Sequence, residues 1–238
     1  MVLNDPVVAE TESADAILVA PDHVQDYLDR HFVSLPWLAR ATGVSDETVL
    51  ELIASRCAPG PSYEVLHDGI VKTDVFGVLP SRARREGAYY PPACAGWIRY
   101  AVAARTDASG ELCRVAGFVH QRFREAYVEA LHLLQSEVSG INALELADDV
   151  DETIEHWLAG TFGICTRQPR SAHAIARKQL AQRRLSRLTD NGGRRAYAAH
   201  QAVQVLEAMA EYDAAAMPFS PADYPQSSRK RLVDDLFD

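Results

Sequence analysis

The 238-residue chain lacks the short strings that announce the familiar enzyme chemistries. It contains no GxxxxGK(S/T) phosphate loop, no GxSxG elbow, no HExxH pair and no GxGxxG turn, which argues against P-loop, serine-hydrolase, zincin and Rossmann readings. The run GGRR at 192–195 has neither the spacing nor the preceding strand of a phosphate loop and reads as a helix stop. Cysteine is sparse: Cys57, Cys94, Cys113 and Cys165 stand singly, with no CxxC to hold zinc or exchange a disulfide. Reduced thiols in a cytoplasm fit that pattern best. No window approaches the ~20 apolar residues that span a bilayer. The first 24 residues have no Lys or Arg, and their apolar run AILVA is too short for a signal-peptide core.

What is present is an ordinary globular composition, 47% hydrophobic and 24% charged, long enough to bury a core. Net charge is −9, unevenly spread. Residues 165–195 sum to +8, so the remainder carries −17, and residues 1–57 alone carry −7. Such a chain repels nucleic acid and membrane surfaces except where a local patch reverses the sign.

Periodicity predicts a mainly α fold in three parts: an acidic mobile arm over 1–20, a winged-helix-like module over 21–76, and a larger α-helical domain over 77–238. In the segment from Leu35 to Arg56, the apolar positions Leu38, Ala39, Val44, Val49 and Leu52 with Gly43 match a helix-turn-helix, and Ser45 is placed to cap its second helix. Asp68-Gly69 between two β-prone runs predicts a hairpin. The segment VLPSRARREGAYYPP reads as a turn-rich link. Helices are expected over 92–105, 119–138 (with the stripe Phe123, Tyr127, Ala130, Leu131, Leu134, Val138), 142–158, 171–188 and 194–216, then a short one behind Ser227 and Ser228.

The outward residues of the second helix, Asp46, Glu47 and Glu51, are wrong for a groove-reading surface. Packing, or contact with a partner protein, is favoured over operator binding. Glu129 and His132 form an ExxH pair, but a di-iron site needs a second such unit, and Glu152, Glu155 and His156 lack its spacing, so no metal is expected.

In the basic segment His173, Arg177 and Arg184 share a sector with Leu180, Ala181 and Leu188 and are expected to face inward. Inward arginines need an anion. It is either a neighbouring carboxylate (Asp148, Asp149, Asp151 or Glu152) or the carboxylate or phosphate of a ligand. Cys165, read as near a helix start with Arg167 and Arg170 at hand, is the candidate nucleophile, with His156 or His173 as its base.

The strings WLAGTFGICTR, IARK (175–178) and SSRKRL (227–232) together resemble an uncharacterised bacterial family linked to natural-product biosynthesis. That resemblance implies a place in small-molecule metabolism and supplies no reaction, cofactor or catalytic residue. From the residues of those blocks, Arg167, Arg177, Lys178 and Arg229 with Ser227 and Ser228 are the expected binding groups for a small anionic metabolite, free or carrier-bound. The alternative is a helix-turn-helix regulator whose C-terminal domain senses a ligand.

Overall fold

A computed structural model describes residues 21–137, 141–194 and 196–236. The expected acidic arm, and Val138 of the expected stripe, lie outside them. The chain is a mixed α/β protein, which overturns the expectation of a mainly α fold with a winged-helix module. Five antiparallel strands form one sheet in the order β1-β5-β2-β3-β4: β1 Val33–Ser34, β2 Tyr63–Val65, β3 Ile70–Thr73, β4 Gly77–Arg82 and β5 Gly87–Tyr90.

The Asp68-Gly69 hairpin is present. Gly69 takes φ +83, and Ile70 N–H donates to Asp68 Oδ1 at 3.1 Å, joining β2 to β3. It is the middle of a sheet, not a wing, because the segment read as a link supplies two further strands. Their signal is weak for physical reasons. β4 is an edge strand carrying Pro80 in the stretch where its register with β3 shifts, and prolines are tolerated at such irregular edges. Only Leu79 and Ser81 of β4 are buried, alternating with exposed Val78, Pro80 and Arg82. The expected boundary after residue 76 falls between β3 and β4, inside this sheet.

The helix-turn-helix pattern is locally correct. Helix α2 (Leu35–Thr42) opens with Pro36 in its first turn and stops at Gly43, φ +75; α3 (Asp46–Ala54) is capped by Ser45, whose Oγ accepts from Thr48 N–H at 3.2 Å. The pair packs on α4 (Cys94–Asp107), with Arg105 of α4 bonded to Glu51 of α3 at 2.7 Å. Helix α1 (Pro21–His31) lays Val24, Tyr27 and Leu28 onto the sheet, where Tyr27, Phe32 and Tyr63 meet edge to face or tilted.

The larger core surrounds α5 (Leu112–Gln135), which buries Val115, Val119, Phe123, Tyr127, Ala130, Leu131 and Leu134 along one face. Burying each of the larger of these side chains contributes about 1.5–3 kcal/mol. Around α5 stand α4, α6 (Val150–Leu158) and α8 (Ala172–Leu188), with Trp97, Phe123 and Trp157 forming an aromatic cluster. The single helix expected over 142–158 is split. Asn142 caps only a 3-10 turn, 143–146, and α6 begins afresh at Val150. Short α7 (Thr161–Cys165) follows. α8 is capped by Ser171 and ends where Asp190, Asn191 and Gly192 take left-handed φ of 51, 53 and 86. α9 (Ala199–Ala215) covers its far side.

Beyond α9 the chain returns to the sheet. Thr166 bridges to Ala216, Tyr27 donates its hydroxyl to Pro218 O at 2.8 Å, and Tyr63 donates to Asp223 Oδ2. Helix α10 (Ser228–Leu232), capped by Ser227, then packs near α8.

Candidate functional site

The return of the chain across the sheet closes a cleft of about 680 Å³. One wall is α8, which presents two adjacent rows at four-residue spacing: Lys178, Gln182 and Ser186, and Gln179, Arg183 and Arg187. At 1.5 Å rise per residue, Lys178 and Arg187 are separated by about 14 Å along the helix axis. Facing them are His156, Thr161, Phe162 and Cys165 from α6 and α7, Val75 and Phe76 from the β3–β4 turn, Leu146, and Phe219, Gln226, Ser228 and Arg231 from the C-terminal segment. Four Lys or Arg side chains line this space, and the lining includes no Asp or Glu.

The cations differ in how far the protein neutralises them. Glu145 accepts from Arg187 and lies 3.6 Å from Arg183, whose other neighbour Asp149 is 3.9 Å away. Arg231 has no ion pair among the described residues. Lys178 is only 4% exposed, and its ammonium donates to the amide oxygen of Gln182, with no carboxylate within salt-bridge distance among the described residues. An amide oxygen satisfies one of three ammonium donors and none of its charge.

Of the residues singled out from the sequence, Lys178, Cys165, His156 and Ser228 meet in this cleft. Arg177 points away, bonded to Glu137 at 2.7 Å. Arg229 is held by Asp213 at 2.8 Å and Asp234 at 3.4 Å. Arg167 donates to the backbone carbonyl of Asp213 at 2.8 Å and opens on a different cavity. Ser227 is buried, its Oγ accepting from Lys230 N–H at 3.1 Å, so it serves as a helix cap. His173 is half-buried and lines neither cavity. Arg184, expected to face inward, is indeed buried, and its partners are Glu211 at 2.5 Å and Glu207 at 3.8 Å on α9 rather than Asp148, Asp149, Asp151 or Glu152.

Cys165 is the last residue of α7, so it lies at the carbonyl end of a short helix and not at a helix start. Its Sγ has Thr166 Oγ1 at 3.8 Å, and no hydrogen bond joins it to His156 or His173 among the described residues. His156 faces Glu152 at 3.5 Å. Glu129 and His132 are exposed on α5, and the described residues contain no group of three or more His, Cys, Asp or Glu able to hold a metal ion. Nor is any of their helices long and apolar enough to cross a membrane.

Arg183, Arg187 and Arg231 escaped selection from the sequence. A signal existed for the first two, the repeated four-residue spacing of Gln179, Arg183 and Arg187. It was masked because α8 is buried on two sides, by α5 and by α9, so its apolar residues define no single inward sector. Gln226 and Phe219 come from a proline-bearing segment with no periodicity, and Arg231 from a five-residue helix too short to show one.

Fold and site together define a helix-dominated α/β protein with a cation-lined cleft. Residues 119–238 match the family of unknown function DUF6058, and the chain belongs to that family. The matched region supplies every residue of the cleft lining except Val75 and Phe76. No curated protein and no solved structure matches the chain.

Proposed function

We propose that this protein binds a small anionic metabolite, free or carrier-bound, in the cleft beside α8, as a cytoplasmic enzyme or accessory of natural-product biosynthesis. The observation that carries the binding reading is Lys178. A buried ammonium without a counter-charge is costly to maintain, and a ligand anion between it and Arg231 removes that cost. The overall charge of −9 sharpens the point, since a cleft lining with no carboxylate is not what random sampling of this acidic surface gives. Phe76, Phe162 and Phe219 offer apolar contact to the ligand body, while Ser228, Gln182 and Asn191 offer neutral hydrogen bonds.

The biosynthetic context rests on the sequence resemblance, and the compartment on four unpaired cysteines. If covalent chemistry occurs, Cys165 and His156 are the groups positioned to share it. The regulator alternative gains no support from α3, whose exposed side chains include Glu47, Leu50 and Glu51.

Thermal unfolding against a panel of dicarboxylates, phosphate esters and acyl-pantetheine phosphates tests the reading. A ligand at one hundred times its Kd stabilises by about 2.7 kcal/mol, a rise of roughly 5–10 °C in Tm at this size. The rise should vanish in Lys178→Met with folding intact. An equal rise in that variant, or none with any anion, overturns the proposal.

A further inference from the structure

We propose a second, separate anion site on the opposite side of α7, suited to a phosphate monoester and built from Arg30, His31, Arg167 and Arg170. These four side chains line a cavity of about 350 Å³ that has no Asp or Glu in its lining. Among the described residues neither Arg30 nor Arg170 has an ion pair, and Arg167 is engaged only by a backbone carbonyl. Three guanidinium groups are therefore left facing one space in a protein whose net charge is −9.

The framework is fixed. The backbone N–H of Arg167 donates to Ala215 O at 2.9 Å, and Trp97 Nε1 donates to Pro169 O at 3.3 Å, so the loop bearing Arg167 and Arg170 is tied at both ends. Arg30 and His31 come from the last turn of α1, where cations are favoured. The carbonyl end of α1 opposes an incoming anion with the equivalent of about half a charge, and three full positive charges outweigh it.

The donor set points to phosphate rather than carboxylate. Each arginine offers a planar fork, and three forks supply more N–H groups than two carboxylate oxygens can accept in good geometry. Pro91 and Pro169 on the same wall give apolar contact to the ester carbon. His31 reports on the site. Its pKa lies below the ordinary histidine value, first because burial disfavours the charged ring and second because Arg30 repels it. Tyr27 lies against its ring in a tilted arrangement, at 4.8 Å between centroids, and Asp29 of the same helix is already paired with Arg85. A dianion among the arginines reverses the local field and raises the His31 midpoint.

The test follows the His31 ring resonances, assigned with His31→Gln, while inorganic phosphate, methyl phosphate or acetate is added at constant ionic strength. Both phosphates should give saturable shifts at millimolar or lower concentration and move the His31 titration upward. Arg30→Ala and Arg170→Ala should each weaken binding roughly tenfold or more, judged on variants whose circular dichroism matches the parent. Lys178→Met, which disables the α8 cleft, should leave these shifts unchanged, so the two sites succeed or fail separately. Shifts that sodium chloride reproduces, acetate binding as tightly as phosphate, or indifference to both arginine substitutions would overturn the assignment.

Discussion

Replacing Asp223 by Asn should change how stability depends on pH. Asp223 is 0% exposed, its Oδ2 accepts from Tyr63, and its Oδ1 has no hydrogen-bond partner among the described residues. Burial pushes its carboxyl up from 3.8 to about 6, with the Tyr63 hydrogen bond opposing part of that rise. Between these two values the folded state holds a proton that the unfolded state has released. Stability from this group is therefore complete below about pH 3.8 and is lost as pH climbs through 6. A separation of about two units corresponds to about 3 kcal/mol.

Asn cannot titrate, and every other group, including His31 with its opposite trend, is common to both proteins. Urea unfolding followed by tryptophan fluorescence from pH 3.5 to 7.5 gives the difference directly. The stability of the wild type relative to Asp223→Asn should fall by about 3 kcal/mol across the window. A pH-independent difference would show that the carboxyl is ionised without penalty in the folded protein and that the burial argument is wrong.

Three further outcomes follow from packing. Gly160→Ala places a methyl group against the carbonyl of Pro61 at a position with φ +75, and should cost several kcal/mol in Tm-derived stability. Phe123→Ala removes a fully buried ring packed against both Trp97 and Trp157 and should cost about 3–5 kcal/mol in denaturant titration. A thiol reagent should label exposed Cys113 rapidly and Cys165 more slowly. Cys94, whose thiol burial pushes up to about 12, should react only after unfolding, as mass spectrometry after timed quenching would show.

Local signals in the sequence were strong where a single interaction decides the outcome. Ser45, Gly43, Ser171, Ser227 and the Asp68-Gly69 turn all do what their chemistry implies, because a cap or a positive φ is settled within four residues. The stripe on α5 was legible because that helix has one buried face. Assembly was not. β4 and β5 carry Arg82, Pro80 and two glycines, Gly77 and Gly87, because one lies on the sheet edge and the other begins at a left-handed Gly87, and neither position needs a continuous apolar run. The basic face of α8 misled for a related reason. Arg184 is buried and closed by α9 carboxylates, whereas Lys178 is buried with none among the described residues, and nothing in their spacing separates the two cases.

The segment after α9 gives the cleft one wall, through Phe219, Gln226, Ser228 and Arg231, and Asp223 within it meets Tyr63 across 160 positions of sequence. A ribosome delivers Tyr63 and α8 well before Asp223, so contacts of such long range close late. Until that moment a nascent molecule has its charged helix and the α6–α7 residues beside it, with one side left open. The proposed anion site is therefore completed only once Arg231 has emerged, and fragments cut short before residue 219 should lack this wall and fail to compete for an anion that the longer chain binds.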